Sequence, residues 1–174
     1  FMEKELYFQR IEKILKDIYT WDHQAAVTIK LHPREKNKVE YERILASSGK
    51  SGIVTDEVDR TKHFTLIKNC DLLITFGSTV ALEGMILQRP ALTIELFDEN
   101  NPTNKLIIGS GASPVIKYDQ DIASAIRTSL NSLDYQPKAK KLVQELCCKI
   151  DGKASQRIVD FIYKEIENKE KMKK

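Results

Sequence analysis

His32-Pro33, Gly77-Ser78-Thr79 and Glu83 are the residues whose types and spacing could do chemistry, and that chemistry is the handling of a phosphate-bearing ligand. An imidazole where a strand gives way to a loop can donate a hydrogen bond to a phosphate oxygen or protonate a leaving phosphate. Lys30 lies two residues earlier, on the same face of an extended chain, and Arg34 follows, so the surroundings are positive. Alone, His32 is more often a capping or surface histidine; the basic cluster brings the two readings level. Gly77 permits a positive φ or a close backbone approach. Ser78 or Thr79 can cap a helix or bond a phosphate oxygen, and a plain cap, worth about 1 kcal/mol, is the competing reading. Glu83 falls four residues beyond Thr79, one turn along the same helix face. Burying a carboxylate there is costly without a partner. Sugar hydroxyls would suit it, and a salt bridge to a nearby Lys or Arg is the alternative.

The elements that must hold these residues can be read from hydrophobic spacing. Cys70 to Leu96 is a buried strand, a Gly-Ser-Thr turn, an apolar helix (Thr79 to Gln88), a Pro90 stop and a second buried strand (Ala91 to Leu96). Upstream, residues 3–20 make an amphipathic helix and Ala25 to Leu31 a strand. Val39 to Ala46 is then a helix, Gly52 to Thr55 a strand and Thr61 to Asn69 a helix. Phe97 to Ser113 is polar, with Pro102 and two glycines, and reads as a mobile loop. Pro114 to Tyr118 adds an edge strand; Asp121 to Leu133, Pro137 to Lys149 and Lys153 to Lys169 are closing helices. Strands alternating with helices predict an α/β fold, a three-layer Rossmann-like parallel sheet flanked by helices. Residues 2–174 form a single domain. Opening on a helix rather than a strand suggests a piece of a longer, two-domain protein, with Phe1 as a cloning remnant.

Composition narrows the function classes. The 174 residues carry 28 Lys and Arg against 25 Asp and Glu, a formal charge of +3 with the signs interspersed, which argues against a nucleic-acid partner. The basic end, Lys169 to Lys174, is a solvated helix end or, as the lesser reading, a peripheral contact with an anionic membrane. No run approaches the roughly 18 apolar residues that span a bilayer. Three cysteines have no metal spacing; Cys147 and Cys148 read as buried or half-buried free thiols of a reducing cytoplasm. Other signals fail on inspection. Ser48-Gly49-Lys50-Ser51 follows a helix and has Ile44 where a P-loop needs glycine, and Gly109-Ser110-Gly111 lacks a third glycine. His23 and His63 have no metal-ligand companions, and no G-x-S-x-G occurs.

Taken in order, Lys30-Leu31-His32-Pro33, Cys70-Asp71-Leu72-Leu73-Ile74-Thr75, Ser78-Thr79, Glu83 and Pro90 resemble the C-terminal half of GT-B glycosyltransferases. The resemblance is to bacterial enzymes of capsule and cell-wall assembly: polysialyltransferase and sialyltransferase groups, and CDP-glycerol glycerophosphotransferases. Asp151-Gly152-Lys153-Ala154-Ser155 with Arg157-Ile158 is similar to the end of the last group, and the likeness spans residues 25–165. It implies a domain that binds a nucleotide-activated donor, CMP-, CDP- or UDP-linked, in the synthesis of a surface polysaccharide or cell-wall polymer. His32 would meet the donor phosphates as the catalytic group. Lys30, Gly77, Ser78 and Thr79 would complete the phosphate site, and Glu83 would hold the ribose. It implies no cofactor and no metal, a cytoplasmic location, at most at the inner face of the membrane, and an N-terminal domain that supplies the acceptor. If that domain is missing, the apolar face of residues 3–20 is free to drive a homodimer. Two other readings stay open. A UDP-N-acetylglucosamine 2-epimerase shares the architecture but carries Ser-Gly-Gly and an arginine-rich segment where this chain has Gly77-Ser78-Thr79 and Asp98-Glu99. A non-catalytic module that binds a nucleotide or a partner is the third.

Overall fold

The computed structural model describes residues 2–49, 52–97, 102–131 and 135–171. In chain order the elements are α1 (Met2–Trp21), β1 (Val27–Lys30), α2 (Lys38–Ser47), β2 (Gly52–Thr55), α3 (Arg60–Asn69), β3 (Leu73–Thr75) and α4 (Val80–Ile86). They continue as β4 (Ala91–Glu95), α5 (Pro102–Ser110), β5 (Val115–Lys117), α6 (Ile122–Asn131), α7 (Tyr135–Cys147) and α8 (Ala154–Lys171). All strand pairs are parallel. Helices cover both faces, as the near-continuous apolar character of β4 requires: four of its five residues are buried.

Two apolar clusters make the layers. One gathers Phe8, Ile11, Ile14, Leu15 and Ile18 of α1 with Ile44 of α2, Leu92 and Ile94 of β4, and Ile122 and Ile126 of α6. The other joins Ala81 and Met85 of α4 to Ile107 of α5 and Leu142 and Val143 of α7. On β4, Leu92 and Ile94 therefore face the first cluster, while Thr93 between them is also buried, on the opposite side.

Three expectations need correction. The strands form two sheets, β1-β2 and β3-β4-β5, instead of one. Val27, Ile29 and Val54 of the first still pack into the same core as Ile74, Leu92 and Ile94 of the second, so the layers are continuous although the ladder is not. Among the described residues β3, three residues long, pairs along one edge only. The segment expected as a mobile loop contains α5: Pro102 sits in its first turn, where a missing N–H costs nothing, and Ile107 is fully buried. Gly111 ends it with φ +61, its N–H donating to the carbonyls of Ile107 and Ile108. The apolar face of α1 is not free for a dimer, because it lies inside the core against α2 and α6. Lys50, Ser51, Asp98, Glu99 and residues 172–174 of the basic end lie outside the described residues.

Candidate functional site

The chain leaves β1 through buried Leu31, whose N–H donates to Thr55 O at 2.8 Å and extends the β1-β2 ladder by one residue. His32 then opens a tight turn with Pro33 at its second position, closed by Glu35 N–H donating to His32 O at 2.8 Å. The turn also fixes the imidazole. Arg34 N–H donates to His32 Nδ1 at 3.1 Å, so in the neutral ring the proton sits on Nε2. His32 is exposed, and its Nε2–H can be given to a ligand. Lys30 is half-buried and folds back, its Nζ donating to Leu31 O at 2.7 Å. The ammonium thus stays beside the strand end that carries His32.

β3 ends at Thr75, and Gly77 follows with φ +80, the left-handed conformation its residue type was read to permit. Of the two hydroxyl residues after it, Ser78 does the capping: its Oγ accepts from Val80 N–H at 3.2 Å. Thr79 is in helical geometry and its side chain makes no capping bond, so its hydroxyl is uncommitted to the helix. Both are exposed. α4 then packs closely on its own strand; a Cβ on Gly84 would stand 2.7 Å from Leu73 Cδ2.

Glu83 has a partner of a kind the sequence did not suggest. Its Oε2 lies 2.6 Å from Nε2 of His63, one turn into α3. Among the described residues no Lys or Arg forms a salt bridge with it, and His63, set aside for want of metal-ligand companions, belongs to this site. Asp59 starts α3 by accepting from Thr61 N–H at 2.7 Å and Lys62 N–H at 3.2 Å, which sets the helix phase and with it the direction of His63. Twenty residues separate His63 from Glu83, and only the packing of α3 on α4 joins them.

The structure thus gathers Gly77, Ser78, Thr79, Glu83 and His63 at the β3-α4 junction, and Lys30 with His32 at the end of β1. The two groups stand at the carboxyl ends of strands belonging to different sheets. Among the described residues no three His, Cys, Asp or Glu side chains converge as a metal site, and no helix is long and apolar enough to cross a membrane. Cys147 and Cys148 are exposed rather than buried, because the last turn of α7 runs off the body.

Residues 7–164 match the family of CDP-glycerol:poly(glycerophosphate) glycerophosphotransferases. The chain belongs to that family. The match takes in every candidate site residue and bears out the resemblance carried by the motifs at His32, Ser78-Thr79 and Asp151-Gly152. It groups the chain with the transferases and not with the epimerases. None of the curated proteins matches the chain. Among solved structures it is similar to the glycosyltransferase SnogD from Streptomyces nogalater, at 12% identity and a TM-score of 0.40, over 72% of this chain. The chain spans 39% of SnogD, and a likeness this distant bears no weight here.

Proposed function

We propose that this domain binds the nucleotide end of a CDP-linked glycerol donor and assists transfer of its glycerophosphoryl group to a growing surface or cell-wall polymer. The family match across residues 7–164 carries the reading. The local chemistry supports it. In such a transfer an acceptor hydroxyl attacks the glycerol-bearing phosphorus; a new O–P bond forms, the bond to the bridging oxygen breaks, and CMP leaves with that oxygen. The departing phosphate gains negative charge, and the hydrogen bond from His32 Nε2–H, with the Lys30 ammonium beside it, would stabilise it. The Thr79 hydroxyl and the backbone at Gly77 and Ser78 would hold phosphate oxygens. Glu83 would accept from the ribose hydroxyls. The acceptor and the base that takes its proton are assigned to a companion N-terminal domain, and the reaction to the cytoplasmic side of the membrane.

Transfer of labelled glycerophosphate from CDP-glycerol tests the assignment. His32→Ala should lower the rate roughly a hundredfold or more, the usual contribution of one preorganised donor to developing negative charge, and Thr79→Ala should weaken donor binding. Unchanged turnover in His32→Ala would remove the imidazole from the chemistry. Calorimetry with CMP, CDP and UDP tests the base: CDP should bind most tightly, and equal affinity for UDP would contradict a cytidine donor.

A further inference from the structure

The His63–Glu83 pair carries a further assignment, which rests on the donor-site reading and deepens it. The contact is short, 2.6 Å, and shielded: the side chains are 18% and 35% exposed. His63 Nδ1 is sealed from solvent and has no hydrogen-bond partner among the described residues. A buried N–H without an acceptor costs more than a buried lone pair beside a ring that is otherwise satisfied, so the proton belongs on Nε2, donated to Glu83 Oε2. Nε2 is therefore committed to the carboxylate and Nδ1 is out of reach, which leaves His63 no atom with which to touch a ligand. Glu83 is different. Its Oε1 has no protein partner among the described residues, the side chain is partly open to solvent, and it stands one turn from Thr79.

We propose that His63 is a positioning residue: its Nε2–H fixes Oε2 of Glu83 in one orientation, so that Oε1 is the oxygen presented to the donor's ribose hydroxyls. A glutamate on a helix surface otherwise samples several rotamers, and a ligand that needs one of them loses affinity in proportion to the others. The hydrogen bond from α3 removes that choice before the ligand arrives. Because the effect is on a ground-state contact to a part of the donor that does not react, it falls on binding and not on the chemical step.

Calorimetry with CDP tests this on His63→Ala, His63→Gln, Glu83→Ala and the double variant His63→Ala/Glu83→Ala, each checked by its melting temperature. A glutamine amide can replace the imidazole N–H at similar reach. The expected results are a roughly tenfold weaker affinity in His63→Ala, the scale of one hydrogen bond to a charged group, and recovery of most of it in His63→Gln. Removing His63 in the Glu83→Ala background should cost nothing further, since the phosphate contacts that remain do not involve it. A merely structural role gives a different pattern: a lower melting temperature and a smaller active fraction at unchanged affinity. That pattern overturns the proposal, as does His63→Ala weakening CDP equally with and without Glu83, or a well-folded His63→Gln that restores nothing. If Glu83→Ala itself leaves CDP binding unchanged, or the unaltered protein binds no CDP, the donor-site reading fails and the proposal falls with it.

Discussion

Gln88 closes α4 with φ +57, in the left-handed region that costs a residue with a Cβ about 1 kcal/mol. Its neighbours show why the backbone goes there: Gln88 N–H reaches Met85 O, and Arg89 N–H reaches back to Gly84 O, the pattern of a helix terminated by a residue at positive φ. Gln88→Gly should therefore stabilise the protein by about 0.5–1 kcal/mol, read as a higher midpoint in urea; a lower midpoint would mean the side chain contributes something its exposure hides. Cysteine reactivity is a second test at this scale. Burial pushes the Cys70 thiol above its ordinary value, partly offset by Arg89, whereas Cys147 and Cys148 stand in solvent. A raised value means less thiolate near neutral pH, so mass-mapped alkylation should label Cys147 and Cys148 well before Cys70. Labelling of Cys70 first would contradict its half-buried placement. Single residues differ in how far sequence exposes them. Gly77 was readable because its type permits the conformation found, while His63 was not, because nothing in a linear spacing of twenty residues shows two helices meeting.

Among the elements, α3 depends on one carboxylate. Asp59 accepts from two backbone N–H groups, and these bonds hold its carboxyl below the ordinary aspartate value. The folded value is the lower one, so the stabilisation is present above about pH 5 and is lost as the pH falls through the lowered value. Asp59→Ala should lower the melting temperature by about 2–4 °C at neutral pH, and the difference from the parent should shrink in acid. A difference independent of pH would remove the cap from the account. Helix α5 shows the limit of reading elements from composition. Pro102, Asn104, Gly109 and Ser110 look like a loop, yet Pro102 falls where a helix tolerates it and Ile107 supplies the buried contact that holds the helix down. The last helix poses the opposite case. Its spacing is amphipathic and the helix forms, but Ile158, Phe161, Ile162, Tyr163 and Ile166 are all exposed. A helix of 18 residues without a packed face is marginal in water. Its amides should accordingly exchange with deuterium far faster than those of α1, and equal protection would show that α8 is covered.

For the molecule as a whole, the alternation of strands and helices was enough to set the class of fold, the parallel pairing and the two covered faces. Hydrophobic period reports which side of an element is buried, and β4 and α1 both obeyed it. It does not report which strands share a ladder, and the division into β1-β2 and β3-β4-β5 was accordingly invisible. That division matters for function, since it separates the strand that delivers His32 from the strand that delivers Ser78 and Thr79. The central claim is that one donor is held by both. The direct test is a crystal structure of the protein with CDP bound. The diphosphate should lie within hydrogen-bond distance of His32 Nε2 and of the Ser78–Thr79 turn at once. A diphosphate that meets only one of the two groups, or that binds away from the strand ends altogether, would contradict a shared donor site.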